Sequence, residues 1–411
     1  MLCMVCDLFQ SYAGLFGILF VLAVASIFSS NRKAIKYRLI VTALAVQFGL
    51  SYFILKTTIG FTIFSSISHG FELLCTYADE GISFVFGKLA RPENAWGFIF
   101  AIKILPIIIF FGALMSLLFH LGVVQKVVKG MAFIIRPLFG TSGAETLSVA
   151  ANSAMGQTEA PLLIKNYLPG MTRSELLTVM TSGMAHLSGS ILAVYGLMGV
   201  PILHLLSASI VAIPGSILIS KMMIPETETP QTLGGQMVEI KPETKNILDA
   251  ISTGTHDGLG LAVNVAAMLI AFISLIAMAN GLLVFVTSYF IAGGVSFDQI
   301  FAYIFYGVAF LIGVPLPECG IAGKLLGQKL VINELVAYGS MLKEQLTPRT
   351  IVLMTYALAG FANISSIGIQ IGGIGAICPE KRHMLTQLGP RALLCGTLAN
   401  ILNAAIASLL M

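Results

Sequence analysis

Residues 156–161 (GQTEAP) constrain this chain more than any other stretch, because they place a glycine, a carboxylate and a proline inside a long apolar run. The run extends from residues 148–151 (SVAA) before them to residues 162–164 (LLI) after them. An acidic side chain at membrane depth costs on the order of 3 kcal/mol by insertion scales. Interrupted backbone at that depth is tolerated only where protein or a water-filled cavity satisfies its N–H and C=O groups. The stretch therefore indicates a binding site within a membrane, since the surrounding hydropathy opposes a soluble core turn with a capping Glu.

The composition of the whole chain supports a membrane protein. Of its 411 residues, 57% are hydrophobic and 10% are charged, and the mean hydropathy is +0.92. A soluble domain carries about 25% charged residues, so the sequence predicts a polytopic membrane protein surrounded by lipid. The net charge of +4 comes from scattered lysines and arginines rather than from one basic face, and we expect no nucleic-acid partner.

The first part of the chain predicts membrane spans together with surface helices. Residues 11–30 and 39–58 form two apolar spans, and the short loop between them is rich in arginine and lysine. The positive-inside rule places that loop in the cytoplasm and the N-terminus outside the inner (plasma) membrane. Residues 66–90 have apolar side chains at spacings of three and four, which predicts an amphipathic helix along the membrane surface. Residues 97–120 form a further span, and residues 122–139 predict a second interfacial helix.

A hairpin and an interrupted span follow. We interpret residues 143–168 as a re-entrant hairpin of two half-length helices, because the GQTEAP interruption divides the segment and a charged residue lies near each end. Residues 174–198 predict a span with a polar centre, and residues 201–223 predict a continuous span. Residues 225–246 are the only sustained polar stretch and predict an exposed linker. Residues 259–290 form another span.

The second half of the chain repeats this order. Residues 313–340 combine prolines and glycines with Glu334 inside an apolar run, and residues 350–372 again predict a span with a polar centre, NISS. Residues 388–410 predict the last span. Two units of hairpin and interrupted helix, with Glu334 lying 175 residues after Glu159, are typical of secondary transporters.

The segment at residues 298–314 decides the relative orientation of the two units. If it lies in the membrane interface, an odd number of crossings separates the units and they are inverted; if it crosses the membrane, they are not. We expect the inverted arrangement. The predicted fold class is thus an all-α polytopic membrane protein with about eight transmembrane helices, two re-entrant hairpins, interfacial amphipathic helices and an inverted internal repeat.

These elements divide the chain into four parts, two of scaffold and two of transport unit. The parts are 1–121, with scaffold spans and an interfacial helix (66–90) that can belong to the transport unit; 122–224, with the hairpin 143–168 and the interrupted helix 174–198; 225–297, with the linker and a scaffold span; and 298–411, with the hairpin 313–340 and the interrupted helix 350–372.

The two hairpins and interrupted helices would bring neutral amides, hydroxyls and carboxylates together near the middle of the membrane: Gln157, Thr158, Glu159, Glu334, Asn363 and Ser366. This set contains no arginine, so it suits a neutral polyhydroxylated ligand with an amide-bearing ring better than a phosphate or a dicarboxylate. A carboxylate can accept hydrogen bonds from both hydroxyls of a vicinal diol. Gln and Thr side chains can pair with a ring edge, and Phe361 offers a flat face for stacking.

Long, ordered motifs in these segments resemble the concentrative nucleoside transporter family: GQTEAPLLIKNYLPGMTRSEL, AHLSGS, GVPLPE, AGKLLGQK, NELVAY and GFANISSIGI. The resemblance covers almost the whole chain, from SSNRKAIKYR at 29–38 to the last span. It implies a cation-coupled nucleoside importer that forms a homotrimer, with a scaffold and a mobile transport part in each subunit. It also implies that three groups of residues form the site: Gln157, Thr158 and Glu159 at the base; Glu334, Asn363 and Ser366 at the ribose; Phe361 and Ile191 along the pocket.

The resemblance places the coupling ion between the first hairpin and the interrupted helix after it. The matching positions are Asn152, Met155, His186 and Leu187, and we expect no other cofactor. At position 186 relatives carry a small hydroxyl residue, whereas this chain has histidine. Sodium is favoured because most of the ion's ligands would be backbone carbonyls. Histidine titrates near neutral pH, so proton coupling through His186 is the alternative.

Two other classes of function compete with a transporter. An intramembrane enzyme could use Glu159 and Glu334 as an acid/base pair, but the sequence lacks a recognisable nucleophile or metal motif. A passive pore is disfavoured, because two carboxylates enclosed by hairpins suit a site that closes around its ligand. We therefore expect a transporter and not an enzyme.

Overall fold

The computed structural model describes residues 2–90, 99–233 and 244–411, which form 17 α-helices and no strand. The all-α prediction is confirmed. Residues 234–243, in the predicted polar linker, lie outside the described residues. The helices are α1 Leu2–Ile27, α2 Tyr37–Lys56, α3 Thr58–Phe86, α4 Phe100–Lys103, α5 Leu105–His120, α6 Val123–Phe139, α7 Gly143–Asn152, α8 Arg173–Ala185, α9 Gly189–Met198, α10 Ile202–Met223, α11 Ile247–Ser288, α12 Phe297–Leu311, α13 Cys319–Val331, α14 Glu334–Met341, α15 Pro348–Leu358, α16 Ile364–Ile377 and α17 Arg382–Leu409.

Several helical segments are apolar and long enough to cross a membrane, which takes about 20 residues. In the described part of the chain there are six: Tyr37–Lys56, Phe100–His120, Arg173–Met198, Ile202–Met223, Ile247–Ser288 and Pro379–Leu409. Three shorter apolar segments accompany them: Tyr12–Ile27, Phe297–Leu311 and Ile364–Ile377. The number of about eight spans stays a prediction.

The first hairpin (143–168) has only one α-helical arm. After α7 and the GQTEAP turn, the chain forms two short 3-10 helices, Ala160–Ile164 and Leu168–Gly170, instead of a second α-helix. Pro161 and Pro169 explain the difference, since each lacks the N–H of a helical hydrogen bond and its ring clashes with the preceding turn. The prediction of two half-length helices is wrong for this second arm.

The second hairpin (313–340) contains two α-helices, α13 and α14, separated at Ile332 and Asn333. Asn333 is the N-cap of α14, because its side chain accepts a hydrogen bond from the Val336 N–H at 2.9 Å. Glu334 is therefore the first residue of α14, where the partial positive charge of the helix N-terminus stabilises a carboxylate.

Both predicted interrupted helices are broken at their polar centres. The first interruption covers residues 186–188, between α8 and α9, and the second covers residues 359–363, between α15 and α16. The two interruptions meet at Gly360, where an added Cβ would lie 2.7 Å from the Met184 carbonyl oxygen and 2.8 Å from that of Ala185. A glycine at this position thus permits a close backbone approach that a larger residue would block.

The order of elements in α4–α10 returns in α11–α17. Each series contains a long apolar segment (Phe100–His120, formed by α4 and α5, in the first and α11 in the second), a shorter helix, a hairpin, an interrupted helix and a closing helix. The shorter helix of the second series is α12, and its 15 residues span about 22 Å, less than the hydrocarbon core of about 30 Å. This length suits the interfacial placement that an inverted repeat requires, and the inversion stays a prediction.

Helix α17 lies at the centre of the fold and packs against α1, α8, α10, α15 and α16. Most of its side chains from Leu398 to Ser408 are buried. Two buried asparagines on this helix bond to distant elements, and one of them, Asn403, accepts a hydrogen bond from the Gln47 amide at 2.6 Å. Buried polar groups of this kind are satisfied by partners on other helices, which fixes the packing of α17.

Helices α5 and α11 approach each other closely through glycines. A Cβ on Gly112 would lie 2.7 Å from the Gly254 carbonyl oxygen, and one on Gly258 would lie 2.8 Å from the Ile109 Cα. Small residues allow this backbone-to-backbone packing between membrane helices. The pair forms one wall of the cavity described below.

The predicted amphipathic helix at 66–90 begins earlier, at Thr58, because Thr57 caps it by accepting a hydrogen bond from the Gly60 N–H at 3.0 Å. Its buried face packs against α5 and α9. Asp79 on this helix accepts a hydrogen bond from the Lys103 ammonium at 2.8 Å. The helix is thus attached to α4 and α5.

Candidate functional site

A cavity of about 1190 Å³ separates the α5–α11 pair from the two hairpins and the two interruptions. All eight residues of the predicted substrate site line it: Gln157, Thr158, Glu159, Ile191, Glu334, Phe361, Asn363 and Ser366. The structure therefore brings together residues from segments more than 170 positions apart. Small-molecule pockets usually have volumes of about 300–1,000 Å³. This cavity is larger, because α5 and α11 enclose further space opposite the hairpins.

Glu334 is a buried carboxylate of the cavity that two other side chains hold in place. Its side chain is only 5% exposed. Oε1 accepts a hydrogen bond from the Tyr195 hydroxyl at 2.8 Å, and Oε2 accepts one from the Asn363 amide at 3.1 Å. A carboxylate offers about four acceptor positions, so each oxygen keeps a free lone pair for a further donor. The two protein donors fix the carboxylate and leave it able to accept two ligand hydroxyls.

Asn363 serves both its helix and the cavity. It is the N-cap of α16, where Oδ1 accepts hydrogen bonds from the Ser366 N–H at 2.9 Å and from the Ser365 hydroxyl at 2.7 Å. Its Nδ2 is thereby oriented toward Glu334. The polar centre of the second interrupted helix is thus a helix cap whose remaining donor reaches the site carboxylate.

Gln157 connects the first hairpin to α16. Its Nε2 donates to the Ser366 hydroxyl at 3.2 Å, and its Oε1 accepts from the Gln370 amide at 3.1 Å. Gln370, which the sequence did not single out, also donates to the Met180 carbonyl at 3.0 Å. Both ends of the Gln157 amide are therefore in use, and a ligand that bonds to it would replace one of these contacts.

Glu159 and Thr158 complete the first hairpin's part of the cavity. The Glu159 side chain is exposed to the cavity, and its Oε2 accepts a hydrogen bond from the Gly156 N–H at 3.1 Å. Thr158 packs against Gly373 of α16, where an added Cβ would meet the threonine methyl at 2.7 Å. Glu159 and Glu334 share no hydrogen bond, although both belong to the described part of the chain.

The four predicted ion-site residues lie where the first hairpin contacts the first interruption. Ser182 on α8 joins two of them: its hydroxyl accepts from the Asn152 Nδ2 at 2.8 Å, and its carbonyl accepts from the His186 Nδ1 at 2.7 Å. The Gly189 N–H donates to the Ala154 carbonyl at 3.0 Å, which ties the turn after α7 to the start of α9. Met155 belongs to that turn and Leu187 to the interruption, so all four positions are close in the fold.

Two buried acceptors in this region lack a donor. Asn152 and His186 are each 1% exposed, and neither Asn152 Oδ1 nor His186 Nε2 has a hydrogen-bond partner among the residues that the structure describes. Because His186 donates through Nδ1, its neutral ring presents Nε2 as an acceptor. Buried polar atoms nearly always have partners, so a bound cation or proton suits this region.

Comparison with known proteins agrees with this architecture. Three family models match successive parts of the chain: "Na+ dependent nucleoside transporter N-terminus" over residues 16–89, "Nucleoside recognition" over residues 101–201, and "Na+ dependent nucleoside transporter C-terminus" over residues 204–408. The nucleoside permease NupC of Helicobacter pylori is 37% identical to this chain and covers 98% of both sequences. The chain belongs to the concentrative nucleoside transporter family.

Two further proteins that are similar to this chain have nearly the same length. An uncharacterized transporter of Haemophilus influenzae is 42% identical over 97% of both chains. The solved structure of CNTnw in an inward-facing substrate-bound state has a TM-score of 0.92 to this chain, at 38% identity and 97% coverage of each. The predicted family is confirmed. These relatives and this fold are those of membrane transporters, so the chain is not an enzyme that uses Glu159 and Glu334 for catalysis.

Tyr195 is the site residue that sequence reasoning missed. It is 1% exposed, lines the cavity and lies four positions after Ile191, one turn along the same face of α9. Its ring packs against that of Tyr338 with the centroids 4.7 Å apart. The helical spacing from Ile191 was a signal for its location, but nothing in the sequence indicated its bond to Glu334.

Tyr195→Phe is expected to weaken nucleoside binding roughly tenfold, because a hydrogen bond to a charged group contributes about 1.5–3 kcal/mol. Loss of the hydroxyl frees Glu334 Oε1, and the carboxylate is no longer fixed on that side. The KM for uptake should rise more than the maximal rate falls. Tyr338→Phe is the matched control, since the Tyr338 hydroxyl donates to the Thr355 carbonyl at 2.9 Å and not to Glu334. Equal losses in the two variants would exclude a specific role for Tyr195.

Proposed function

We propose that this protein imports nucleosides across the inner membrane by symport with a cation, which is sodium in the favoured version. The observation that carries the proposal is the cavity, which combines three carboxylates (Glu159, Asp257 and Glu334) with amides and hydroxyls. No arginine lines it among the described residues, so its chemistry suits a neutral ligand with vicinal hydroxyls rather than a phosphorylated one. Membership of the concentrative nucleoside transporter family supports the same class of substrate.

In this proposal the second repeat binds the ribose. The free lone pairs of Glu334 accept the two ribose hydroxyls, while Asn363 and Ser366 contribute further polar contacts. The carboxylate needs no reorientation, because Tyr195 and Asn363 already hold it. Groups fixed before binding lose little conformational freedom when the ligand arrives, which favours affinity.

The first repeat binds the base. Gln157, Thr158 and Glu159 are its polar contacts, with Phe361 and Ile191 covering the apolar faces of the ring. The bond between Gln157 and Ser366 means that base and ribose contacts are coupled across the two repeats. A base that displaces the Gln370 amide from Gln157 would leave the bond to Ser366 intact.

The coupling ion binds at Asn152, Met155, His186 and Leu187. Asn152 Oδ1 is a buried acceptor that a sodium ion would satisfy, and the interruption at 186–188 supplies backbone carbonyls of the kind that coordinate sodium in transporters. The alternative is a proton on His186 Nε2, which is equally buried and without a donor. Sodium is favoured because it would also satisfy the amide oxygen of Asn152.

Ion and nucleoside are coupled through residues 153–159. This turn connects the end of α7, where the ion binds, to Gln157, which contacts the ligand cavity. An ion that holds the turn against the first interruption lowers the conformational entropy of the turn before the nucleoside binds. The nucleoside then binds with a smaller loss of conformational entropy. By thermodynamic linkage the bound nucleoside then raises the affinity for the ion by the same factor.

We propose further that the subunit works as part of a homotrimer with its N-terminus outside. The scaffold comprises residues 1–121 and 225–297, and the transport unit comprises residues 122–224 and 298–411. The placement of α11 in the scaffold is supported by its exposed apolar side chains, such as Ile270, which is 71% exposed. Such a surface requires lipid or another subunit to cover it.

Uptake into proteoliposomes tests the proposal. With purified protein and an inward sodium gradient, radiolabelled uridine should accumulate above its external concentration and be recovered unaltered. Dissipation of the gradient with an ionophore should reduce uptake to equilibration. Accumulation driven by a proton gradient in the absence of sodium would select the alternative ion. Equilibration without accumulation under every gradient would indicate a passive pore, and a chemically altered product would indicate an enzyme.

A further inference from the structure

Lys329 is a buried lysine that the site described above does not use. It lies on α13 in the second hairpin and is only 3% exposed. Its ammonium donates to the Ala357 carbonyl at 2.9 Å and to Asn400 Oδ1 at 2.7 Å. Within the described part of the chain, no carboxylate lies within 4 Å of it. A buried ionisable side chain with only neutral partners is costly and indicates a role beyond packing.

The partners of Lys329 connect the two interruptions. Asn400 on α17 donates through Nδ2 to the Ala185 carbonyl at 2.9 Å, next to the first interruption. The same Nδ2 donates to the Ala359 carbonyl at 2.7 Å, in the second interruption. Together, Lys329 and Asn400 therefore satisfy carbonyls at the breaks of both repeats. Helix ends leave such carbonyls without partners, so their positions depend on this pair.

Lys329 also lies close in sequence to the site carboxylate. It precedes Glu334 by five residues in the second hairpin, so a positive charge on its ammonium can act on the Glu334 carboxylate through space. The hydrogen-bond donors at Glu334 are the neutral groups of Tyr195 and Asn363. A charged Lys329 would balance the carboxylate at longer range, in a medium of low dielectric constant where charges act strongly.

The two repeats place a cation in comparable surroundings. In our proposal for the first repeat, the coupling ion lies between a hairpin and an interruption. In the second repeat the ammonium of Lys329 lies between the second hairpin and the end of α15, bonded to a carbonyl oxygen and an amide oxygen. The comparable group of the second repeat is therefore a lysine side chain rather than a bound ion.

We propose that Lys329 is a positioning residue of the nucleoside site, whose fixed ammonium holds the two interruptions together and balances the charge of Glu334. The inference rests on the proposed nucleoside function and extends it. Without this charge, Glu334 should ionise less readily and accept weaker hydrogen bonds. Binding of the ribose hydroxyls should therefore weaken more than binding of the base.

Lys329→Met tests this role in the purified full-length protein. Equilibrium binding of uridine should weaken roughly tenfold, the effect of losing one charge-assisted hydrogen bond, whereas binding of 3′-deoxyuridine should change little. The variant should therefore bind the two ligands almost alike, whereas the wild type prefers uridine. Lys324→Met is the matched control on the same helix, because the Lys324 ammonium lies 3.4 Å from carboxylate oxygens of Asp298 and Glu344 outside the cavity. It should retain the preference of the wild type.

Chemical rescue tests whether the charge itself matters. Lys329→Ala removes three carbons and the ammonium, which propylammonium resembles. Added propylammonium should restore the preference for uridine in this variant, and 1-propanol, which is neutral and of similar size, should not. Folding of each variant is checked by size-exclusion chromatography and thermal unfolding. Should Lys329→Met fail to fold, Lys329→Gln removes the charge but keeps a donor for the Ala357 carbonyl, and it should show the same loss of preference.

The outcomes separate this inference from the proposed function. If the wild type and Lys324→Met bind uridine but Lys329→Met weakens both ligands by the same factor, Lys329 is only structural and the inference is wrong. Equal rescue by propylammonium and 1-propanol would also contradict it. If the wild type binds neither nucleoside, the proposed function itself fails.

Discussion

Glu334→Gln is expected to abolish concentrative uptake of uridine. The carboxylate accepts from Tyr195 and Asn363 and keeps lone pairs on both oxygens. A glutamine amide has one oxygen, so its NH₂ group would face one of these two donors and leave it unpaired. It would also offer an acceptor to only one ribose hydroxyl. Charge-assisted hydrogen bonds contribute about 1.5–3 kcal/mol each, so binding should weaken by at least about tenfold and transport should fall to background.

Two measurements separate this role from a structural one. Uridine binding to the purified variant reports the site, and thermal unfolding reports the fold. Glu344→Gln is a suitable control, because Glu344 lies in the same repeat but pairs with Lys324 at 3.4 Å outside the cavity. Uptake at the wild-type level by a folded Glu334→Gln protein would remove Glu334 from the site. If 2′-deoxyuridine and 3′-deoxyuridine bound the wild type as well as uridine, the carboxylate would serve only the N-terminus of α14.

The sequence predicted those parts of the fold that depend on local chemistry. AHLSGS and NISS contain the polar residues at which the two interrupted helices break, and GQTEAP contains the glycine and proline that end α7 in the first hairpin. Both interruptions lie where these motifs placed them. The second arm of the first hairpin was predicted less well, since apolar composition suggested a helix. Pro161 and Pro169 instead restrict the arm to 3-10 turns.

The contacts that hold the site could not be predicted, because their partners are far apart in the sequence. Tyr195 lies 139 residues before Glu334, and Asn400 lies 71 residues after Lys329. A tyrosine or an asparagine in an apolar helix has many possible partners, and only the packing of α9 and α17 decides among them. Lys329 gave one signal in advance, since a lysine in an apolar hairpin requires a partner or a function.

His186→Ser is expected to lower the sodium concentration for half-maximal uptake by about tenfold. Serine adds a hydroxyl oxygen where sodium would bind and removes the bulk of the imidazole. A tenfold change is at the lower end of what altering one group around a bound metal produces. In the wild type, uptake should require sodium at every pH, because Asn152 Oδ1 and the backbone carbonyls remain available to the ion.

The structure supports this expectation over proton coupling in one respect. Proton coupling through His186 would be strengthened by Glu159, whose negative charge could attract a protonated ring. In the described residues His186 forms no ion pair with Glu159: its Nδ1 donates to the Ser182 carbonyl, while Glu159 accepts from Gly156. The ring is thus held by its own helix, and Nε2 is the nitrogen left to receive a proton or to lie beside sodium.

Two uptake assays decide between the two ions: one varies the sodium concentration at fixed pH, and the other varies the external pH at fixed sodium concentration. His204→Ser is the matched control, because His204 is also a largely buried histidine but packs against Tyr356, with ring centroids 6.1 Å apart, away from the ion site. It should leave the sodium dependence unchanged. Wild-type uptake that proceeds without sodium, increases as the external pH falls and stops with a protonophore would establish proton coupling. His186→Ser would then remove the titrating group, and the transporter should become dependent on sodium, because only the oxygen ligands would remain.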